Sequence, residues 1–326
     1  MHSAIAKYLS GIKLGELQRS KNVAVLPLFS SAPPGPEYLT LKTALERRLL
    51  VVTEVSEGGS VPELSVTNNA DMPVLLLDGE ELVGAKQNRV LNTSILLKEK
   101  SQTTIPVSCT EQGRWSYRSR EFADSGVVMS RELRARKHGS VTDALRETRQ
   151  YRADQGAIWR DVDEMSLRAQ VQSPTRAMRH VFESRAQDLD ELLKPFTILP
   201  HQKGLLVFLS GEVVGLDILS LDSAYETLHP KLLRSYAMDA VLGEATGRAR
   251  PSTGKARDFL QEASACAESK YESIGHGHDY RYENKALLGS ALLFRETVIH
   301  AAFFKASAED STGRMSGYRR RQVYRA

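Results

Sequence analysis

The stretch Pro73-Val-Leu-Leu-Leu-Asp-Gly-Glu-Glu-Leu-Val-Gly-Ala-Lys-Gln-Asn-Arg-Val-Leu-Asn-Thr-Ser-Ile-Leu-Leu97 decides how this chain is read. Apolar runs at both ends enclose a centre of acids, amides, a lysine and an arginine. Short apolar runs bounded by turn residues are the signature of buried strands. Asn68-Asn-Ala-Asp71 supplies such a turn just upstream. Working outward, Pro62-Glu-Leu-Ser-Val-Thr67 alternates, and Thr103-Thr-Ile-Pro-Val-Ser-Cys109 follows on the other side. Strands recurring about every ten residues predict an antiparallel sandwich or a jelly-roll-like sheet.

Further upstream, Asn22 to Phe29 is a strand in which Pro27 suits an edge or a bulge. Leu39 to Leu49 has helical spacing with Thr40 as its cap, and Leu50 to Val55 is extended. The middle of the chain changes character. From Ser140 to about Pro195 the apolar residues keep a helical spacing, and Ser173-Pro174 marks a new helix start. The last third is mixed. Leu205–Leu209 and Val213–Leu219 flank Ser210-Gly211 as a hairpin, Ser223–Leu242 and Lys255–Glu268 are helices, and Leu287–Phe304 makes two strands. The expected fold is α+β: an antiparallel β-rich core from the first and last thirds, with a helical middle segment. One large domain is expected over 1–326. Its parts are a β-rich part at 1–112, a helical insertion or lid at 113–200, a mixed part at 201–305 and a basic tail at 306–326.

The 326 residues are 41% hydrophobic and 26% charged, which allows a sizeable core. No apolar stretch approaches the ~20 residues that span a bilayer, so no membrane partner is expected. Two cysteines, Cys109 and Cys266, make no disulfide framework, and a cytoplasmic location is expected. A formal charge of +4 does not call for a nucleic-acid partner. The charge is uneven, with ten Lys or Arg against five acids between Gly113 and Ala153, and five arginines from Arg314 to Arg325. These read as solvated helix faces and a frayed end, or as a surface for phosphates or another subunit's acidic face.

Polar density beside buried strands costs stability unless every group finds a partner. The centre of the opening stretch, with Cys109-Thr-Glu-Gln-Gly-Arg-Trp115, is therefore the candidate site. Asp78 and Glu80, two apart in an extended chain, share a face and suit acid/base work or a hard divalent cation, or else pair with Arg89 or Arg114. Glu111 joins them as the third catalytic candidate. Lys86 offers a point charge and Arg89 a planar fork for carboxylate or phosphate. Gln87, Asn88 and Asn92 can read donor and acceptor edges, while Arg114 and Trp115 complete the ligand-binding set. Cys109 reads as a core residue. His276 and His278, in His-x-His spacing, are candidate metal ligands. His300 lies in an apolar strand as a satisfied core histidine, and Asp217 is an acid in an apolar setting. No Walker, Rossmann, nucleophile-elbow, Cys-x-x-Cys, His-Glu-x-x-His or EF-hand signature is present.

Leu26-Pro-Leu-Phe29, Tyr38-Leu-Thr-Leu, Thr53-Glu54, Leu77-Asp-Gly-Glu, Gly84-Ala-Lys-Gln-Asn-Arg89 and Cys109 to Trp115 occur in order, followed by Gly277-His-Asp-Tyr-Arg281 and His300. In these the chain resembles an uncharacterised bacterial family, the ARG and rhodanese-phosphatase-superfamily-associated protein domain. By association with ADP-ribosyl glycohydrolases and phosphatase-like proteins, the resemblance implies a role near NAD or ADP-ribose metabolism or a prokaryotic conflict system. It transfers no catalytic residue. Together the residues and the resemblance lead to a hydrolase, group transferase or binder acting on a nucleotide- or ADP-ribose-like small molecule. The alternative is a non-enzymatic homo-oligomeric scaffold whose polar run is a structural network. A metal-dependent cupin-like enzyme is a third reading, in which His276 or His278 reaches the acids.

Overall fold

The computed structural model describes residues 1–243 and 249–306. Elements are numbered in chain order. A nine-stranded antiparallel sheet joins the two ends of the chain. It contains β1 (Ile12–Leu14), β2 (Gln18–Ser20), β3 (Val23–Ser30), β13 (Gly204–Leu209), β14 (Glu212–Leu219), β15 (Ala267–Glu272), β16 (His278–Glu283), β17 (Leu287–Phe294) and β18 (Thr297–Lys305). Its order is β1-β3-β13-β14-β18-β17-β16-β15, with β2 also beside β3. The expected hairpin is β13–β14. Ser210 and Gly211 both have positive φ, 49° and 81°, the twist that a two-residue turn needs to bring right-twisted strands together.

The second sheet has six strands, β5 (Leu50–Glu54), β6 (Glu63–Asn68), β8 (Glu80–Gly84), β9 (Arg89–Leu91), β11 (Ser101–Cys109) and β12 (Phe122–Val128), ordered β12-β8-β9-β11-β6-β5. Beside it, β4 (Leu39–Thr40), β7 (Val74–Leu76) and β10 (Ile95–Leu97) form a short sheet ordered β10-β7-β4. The α+β class with a β-rich core is as expected, and β3 does pair with β13 to join the first and last thirds. The strands between Leu50 and Val128, however, form a sheet of their own.

Seven strands lie outside the expected set: β1, β2, β4, β8, β12, β15 and β16. β8 and β16 carry buried charged residues, so the apolar alternation that reveals a strand is missing. β12 is irregular between Asp124 and Val128. It adds a strand inside the stretch read as helical, so helices begin only with α3 (Arg131–Thr148). Next come α4 (Gln155–Arg168), α5 (Met178–Ser184) and α6 (Ala186–Leu193). The Ser173 Oγ accepts from the Ala177 N–H at 2.8 Å. That bond closes the turn before α5, so Pro174 precedes the helix instead of starting it. Residues from 307 onward, most of the basic tail, lie outside the described residues.

Helices cover both faces of the large sheet. On one face, α3 to α6 and α7 (Asp222–Leu242) bury Leu205, Val207, Phe304 and their neighbours. On the other, α1 (Ser3–Ser10) and α8 (Thr253–Ser264) cover Leu206, Phe208 and Phe303. A separate core between the two smaller sheets holds Val52, Leu64, Val66, Leu76, Leu91 and Ile105, with α2 (Leu41–Glu46) packed against it. Thr40 caps α2, its Oγ1 accepting from the Thr43 N–H at 3.3 Å. Residues 77–94 thus run between the two cores, and this is what buries their polar side chains.

Candidate functional site

Strand β7 ends at Leu76, and Leu77-Asp-Gly turns into β8. Gly79 has φ +85°, and a Cβ there would sit 2.9 Å from Arg134 Cδ and Nε. The turn therefore needs glycine for its conformation and for the passage of Arg134. It also separates Asp78 from Glu80, so the two do not share a strand face. Asp78 meets Lys137 on α3, with Arg134 Nε 3.6 Å away. Burial opposes its charge, yet Lys137 and Arg134 hold the carboxyl below its ordinary range. Glu80 instead accepts from Lys231 Nζ of α7 at 2.8 Å, and the same ammonium reaches Asp124 at 2.7 Å.

Around Asp78 the network runs inward. Its backbone N–H donates to Ser94 Oγ at 2.9 Å. Ser94 Oγ and His300 Nδ1 share a 2.8 Å hydrogen bond, and His300 Nε2 lies 3.1 Å from Asp217 Oδ1. Arg134 donates to both Asp217 oxygens and Tyr236 donates to Oδ2. Ser, His and Asp thus stand in series, all buried. The series differs from a hydrolytic triad in its chemistry: Asp217 is neutralised by a guanidinium and the Ser94 hydroxyl already accepts from a backbone amide. The parallel set Thr93, Asp279, Arg281 and His138 is equally buried, with Asp279 Oδ1 and Arg281 Nε left without a hydrogen-bond partner among the described residues. Thr93 donates to Asp279 at 2.6 Å, and Arg281 donates to both. Asp279 and Arg281 are buried residues of β16. Their roles, with those of Arg134, Lys137 and Lys231, were not legible in the sequence. Buried cations within an apolar helix stripe were the available signal. The basic excess on α3 is therefore partly interior: Arg134 and Lys137 hold acids of this same chain instead of facing solvent.

Glu111 accepts from Arg114 Nε and Nη2 at 2.9 and 2.6 Å, and from the Asn88 N–H at 3.2 Å. Burial opposes the charge of Glu111, but Arg114 leaves its pKa below the ordinary value. Arg114 Nη1 also donates to the carbonyls of Ala85 and Ser116 at 2.7 Å. Asn92 bridges Ser108 and the Tyr151 carbonyl. His276 pairs with Glu99 and His278 with Glu272, on separate partners. Among the described residues no group of three or more His, Cys, Asp or Glu is placed to hold a metal ion.

The remaining candidates meet at one end of the six-stranded sheet, where residues 55–62, 85–88 and 110–121 converge. Arg89 is fully buried. Its Nη1 donates to Gln87 Oε1 at 3.0 Å and lies 2.9 Å from Cys109 Sγ, and Cys109 also contacts Gln87 Oε1. Its Nη2 lies 3.8 Å from Glu54 Oε1. Among the described residues, Arg89 Nε and Nη2 and Glu54 Oε2 find no hydrogen-bond partner. Trp115 lies over this group, its ring 5.7 Å from the Arg89 guanidinium carbon. Trp115 and Tyr117 are 48% and 51% exposed, and Lys86 Nζ stands 5.3 and 5.1 Å from their rings. Lys86 Nζ donates to the Gly58 carbonyl at 2.8 Å and Tyr117 Oη to that of Glu57 at 3.3 Å. Arg118 and Arg120 are exposed on the same loop. This mouth combines aromatic faces, cations and unfilled hydrogen-bonding capacity. Glu54 is its unforeseen member; Tyr117, like Trp115, is legible in the sequence as a ring able to stack on a base or to stand at a rim.

The described residues contain no helix long and apolar enough to cross a membrane. No curated protein and no solved structure matched the chain. A family model did, over residues 11–304, which takes in the acidic turn, the Lys86–Arg89 loop, the Cys109–Trp115 loop and the last strands. The chain belongs to the family described as the ARG and Rhodanese-Phosphatase-superfamily-associated Protein domain.

Proposed function

We propose that the mouth around Lys86, Arg89, Trp115 and Tyr117 binds a nucleotide- or ADP-ribose-like ligand. One observation carries this reading: two guanidinium nitrogens of Arg89 and one oxygen of Glu54 lie buried without hydrogen-bond partners among the described residues, beneath an exposed tryptophan. Buried polar groups without partners are costly, and a ligand's hydroxyls or phosphate oxygens would satisfy them. A base would stack on Trp115 or Tyr117, Lys86, Arg118 and Arg120 would face phosphates, and Arg89 with Glu54 would read the sugar. Hydrolysis is a further step in the same proposal. Asp78, Glu80 and Glu111 each hold a cation already, so any of them would first have to exchange it for substrate or metal.

Calorimetric titration of the full chain with ADP-ribose and ADP tests the binding. Saturable binding is expected, weakened at least ten-fold by Trp115→Ala and by Lys86→Met. Absence of binding, or binding indifferent to both changes, overturns it. A separate observation favours the scaffold reading for the inner network: Arg134, Lys137, Asp78 and Asp217 are paired across three elements and buried. Arg134→Met should then lower stability and leave ligand affinity unchanged.

A further inference from the structure

A cleft of about 820 Å³ lies far from these residues in sequence, between α1, the end of β3 and the β17–β18 turn. Lys7, Lys203 and Arg295 line it, against the single acid Glu296. Tyr8 and Ser220 form its buried floor. The Tyr8 hydroxyl donates to the Leu219 carbonyl at 2.8 Å, and Ser220 Oγ bonds with Tyr38 at 3.0 Å. Lys203 is partly buried. Its neighbour Asp222 lies 3.0 Å from His201 instead. Burial pushes the Lys203 ammonium below its ordinary pKa, with Asp222 opposing, so the charge there is under-compensated. Arg295 and Glu296 hold positive φ, 49° and 60°, in a tight turn where Asn or Gly would fit with less strain.

We propose that this cleft is a ligand site for a small organic phosphate. The phosphate head would lie among Lys203, Lys7 and Arg295, and the apolar body would lie along α1 beside Ala4 and Val298. Three cations against one carboxylate leave a lining charge of two, which matches a phosphate monoester dianion better than a carboxylate. The volume falls within the range of small-molecule sites. The site does not depend on the Trp115 mouth.

Titration calorimetry with phenyl phosphate, against phenol and inorganic phosphate, tests it on the full chain. The expected result is saturable phenyl phosphate binding tighter than about 1 mM, with phenol silent and inorganic phosphate weaker. Lys203→Met should weaken it at least ten-fold, as should Ala4→Trp, which fills the cleft without touching charge. Trp115→Ala should leave it unchanged, which separates this site from the mouth. No saturable binding, binding equal in Lys203→Met, or loss on Trp115→Ala would each overturn the proposal.

Discussion

Arg134 on α3 grips Asp217 on β14 with both terminal nitrogens, at 3.0 and 2.8 Å, and neither side chain has any exposure. The pair fastens the helix layer to the centre of the nine-stranded sheet. Through Ser94 and His300 it also reaches the turn that leads out of β7. Its geometry is bidentate, Tyr236 and His300 add hydrogen bonds to the carboxylate, and Arg134 Nε faces Asp78 at 3.6 Å, so Coulomb attraction and hydrogen bonds together offset the desolvation of the pair.

Removing one member leaves the other charged and stranded. Arg134→Met should therefore destabilise the fold by about 3–5 kcal/mol. The double change Arg134→Met with Asp217→Asn should cost less than the sum of the single changes, because the stranded carboxylate is gone. Urea unfolding of the three variants checks this. Additive losses would mean that the two side chains are not energetically coupled.

The pH dependence follows from several groups. Asp217, opposed by burial but held by Arg134 and His300, lies at about 2, so its stabilisation is present above its unfolded value and lost as pH falls towards 2. That single loss amounts to about 2 kcal/mol. Burial pushes His138 down to about 3 and His229 to about 4, so both destabilise the fold as pH falls below 6.5. Burial lifts Glu81 to about 7 and Asp239 to about 6, and these favour the fold as pH falls. Two groups oppose two between about pH 4.5 and 6.5. Midpoints of urea unfolding should stay nearly level there and drop steeply below pH 4. A steady decline from pH 6.5 downward would contradict the balance.

How much of this was legible in the sequence depended on where polarity fell. Leu205–Leu219 and Leu287–Phe304 are mostly apolar, interrupted at their turns and by single residues such as Asp217 and His300, so the first was readable as a hairpin and the second as two strands. β8 and β16 were not, because Glu80, Glu81, Asp279 and Arg281 are buried with partners elsewhere in the chain, and a local window shows only their charge. The density of polar groups from Asp78 to Trp115 correctly signalled buried neighbours with unusual needs. It could not show that Asp78 and Glu80 would each meet a lysine from a helix 59 and 151 residues away. Nor could it show that Arg89 would keep two nitrogens without partners. Long-range pairing decides which polar groups are structural and which are left over, and periodicity carries no trace of it.

Cys109 is fully buried beside Arg89, whose Nη1 lies 2.9 Å from its sulfur. Burial pushes its thiol up to about 11, with Arg89 opposing. At pH 8 the thiolate is a fraction on the order of one part in a thousand. Iodoacetamide should leave Cys109 unmodified in the native protein over hours and label it on urea unfolding, as read by peptide mass. Rapid native labelling would show that the mouth opens far enough to expose its floor.

Glu81 offers the clearest titration. It is wholly buried on β8, accepts from Thr110 Oγ1 at 2.7 Å, and its Oε2 has no partner. Burial raises its pKa to about 7, against the help of Thr110 and Ser125. The stability linked to its proton is complete below its unfolded value near 4.5 and is lost as pH rises through 7. At pH 8 the protein thus carries a buried carboxylate that only the more distant Arg179 and two hydroxyls stabilise. Glu81→Gln keeps the shape and the acceptor for Thr110 while removing that charge. The variant should exceed the wild type by about 2–3 kcal/mol at pH 8, and the gap should close below pH 4.5. Urea unfolding at the two pH values reads the difference directly. A gap independent of pH would mean that the carboxyl is not protonated in the fold, and that a cation or a solvent path reaches Oε2.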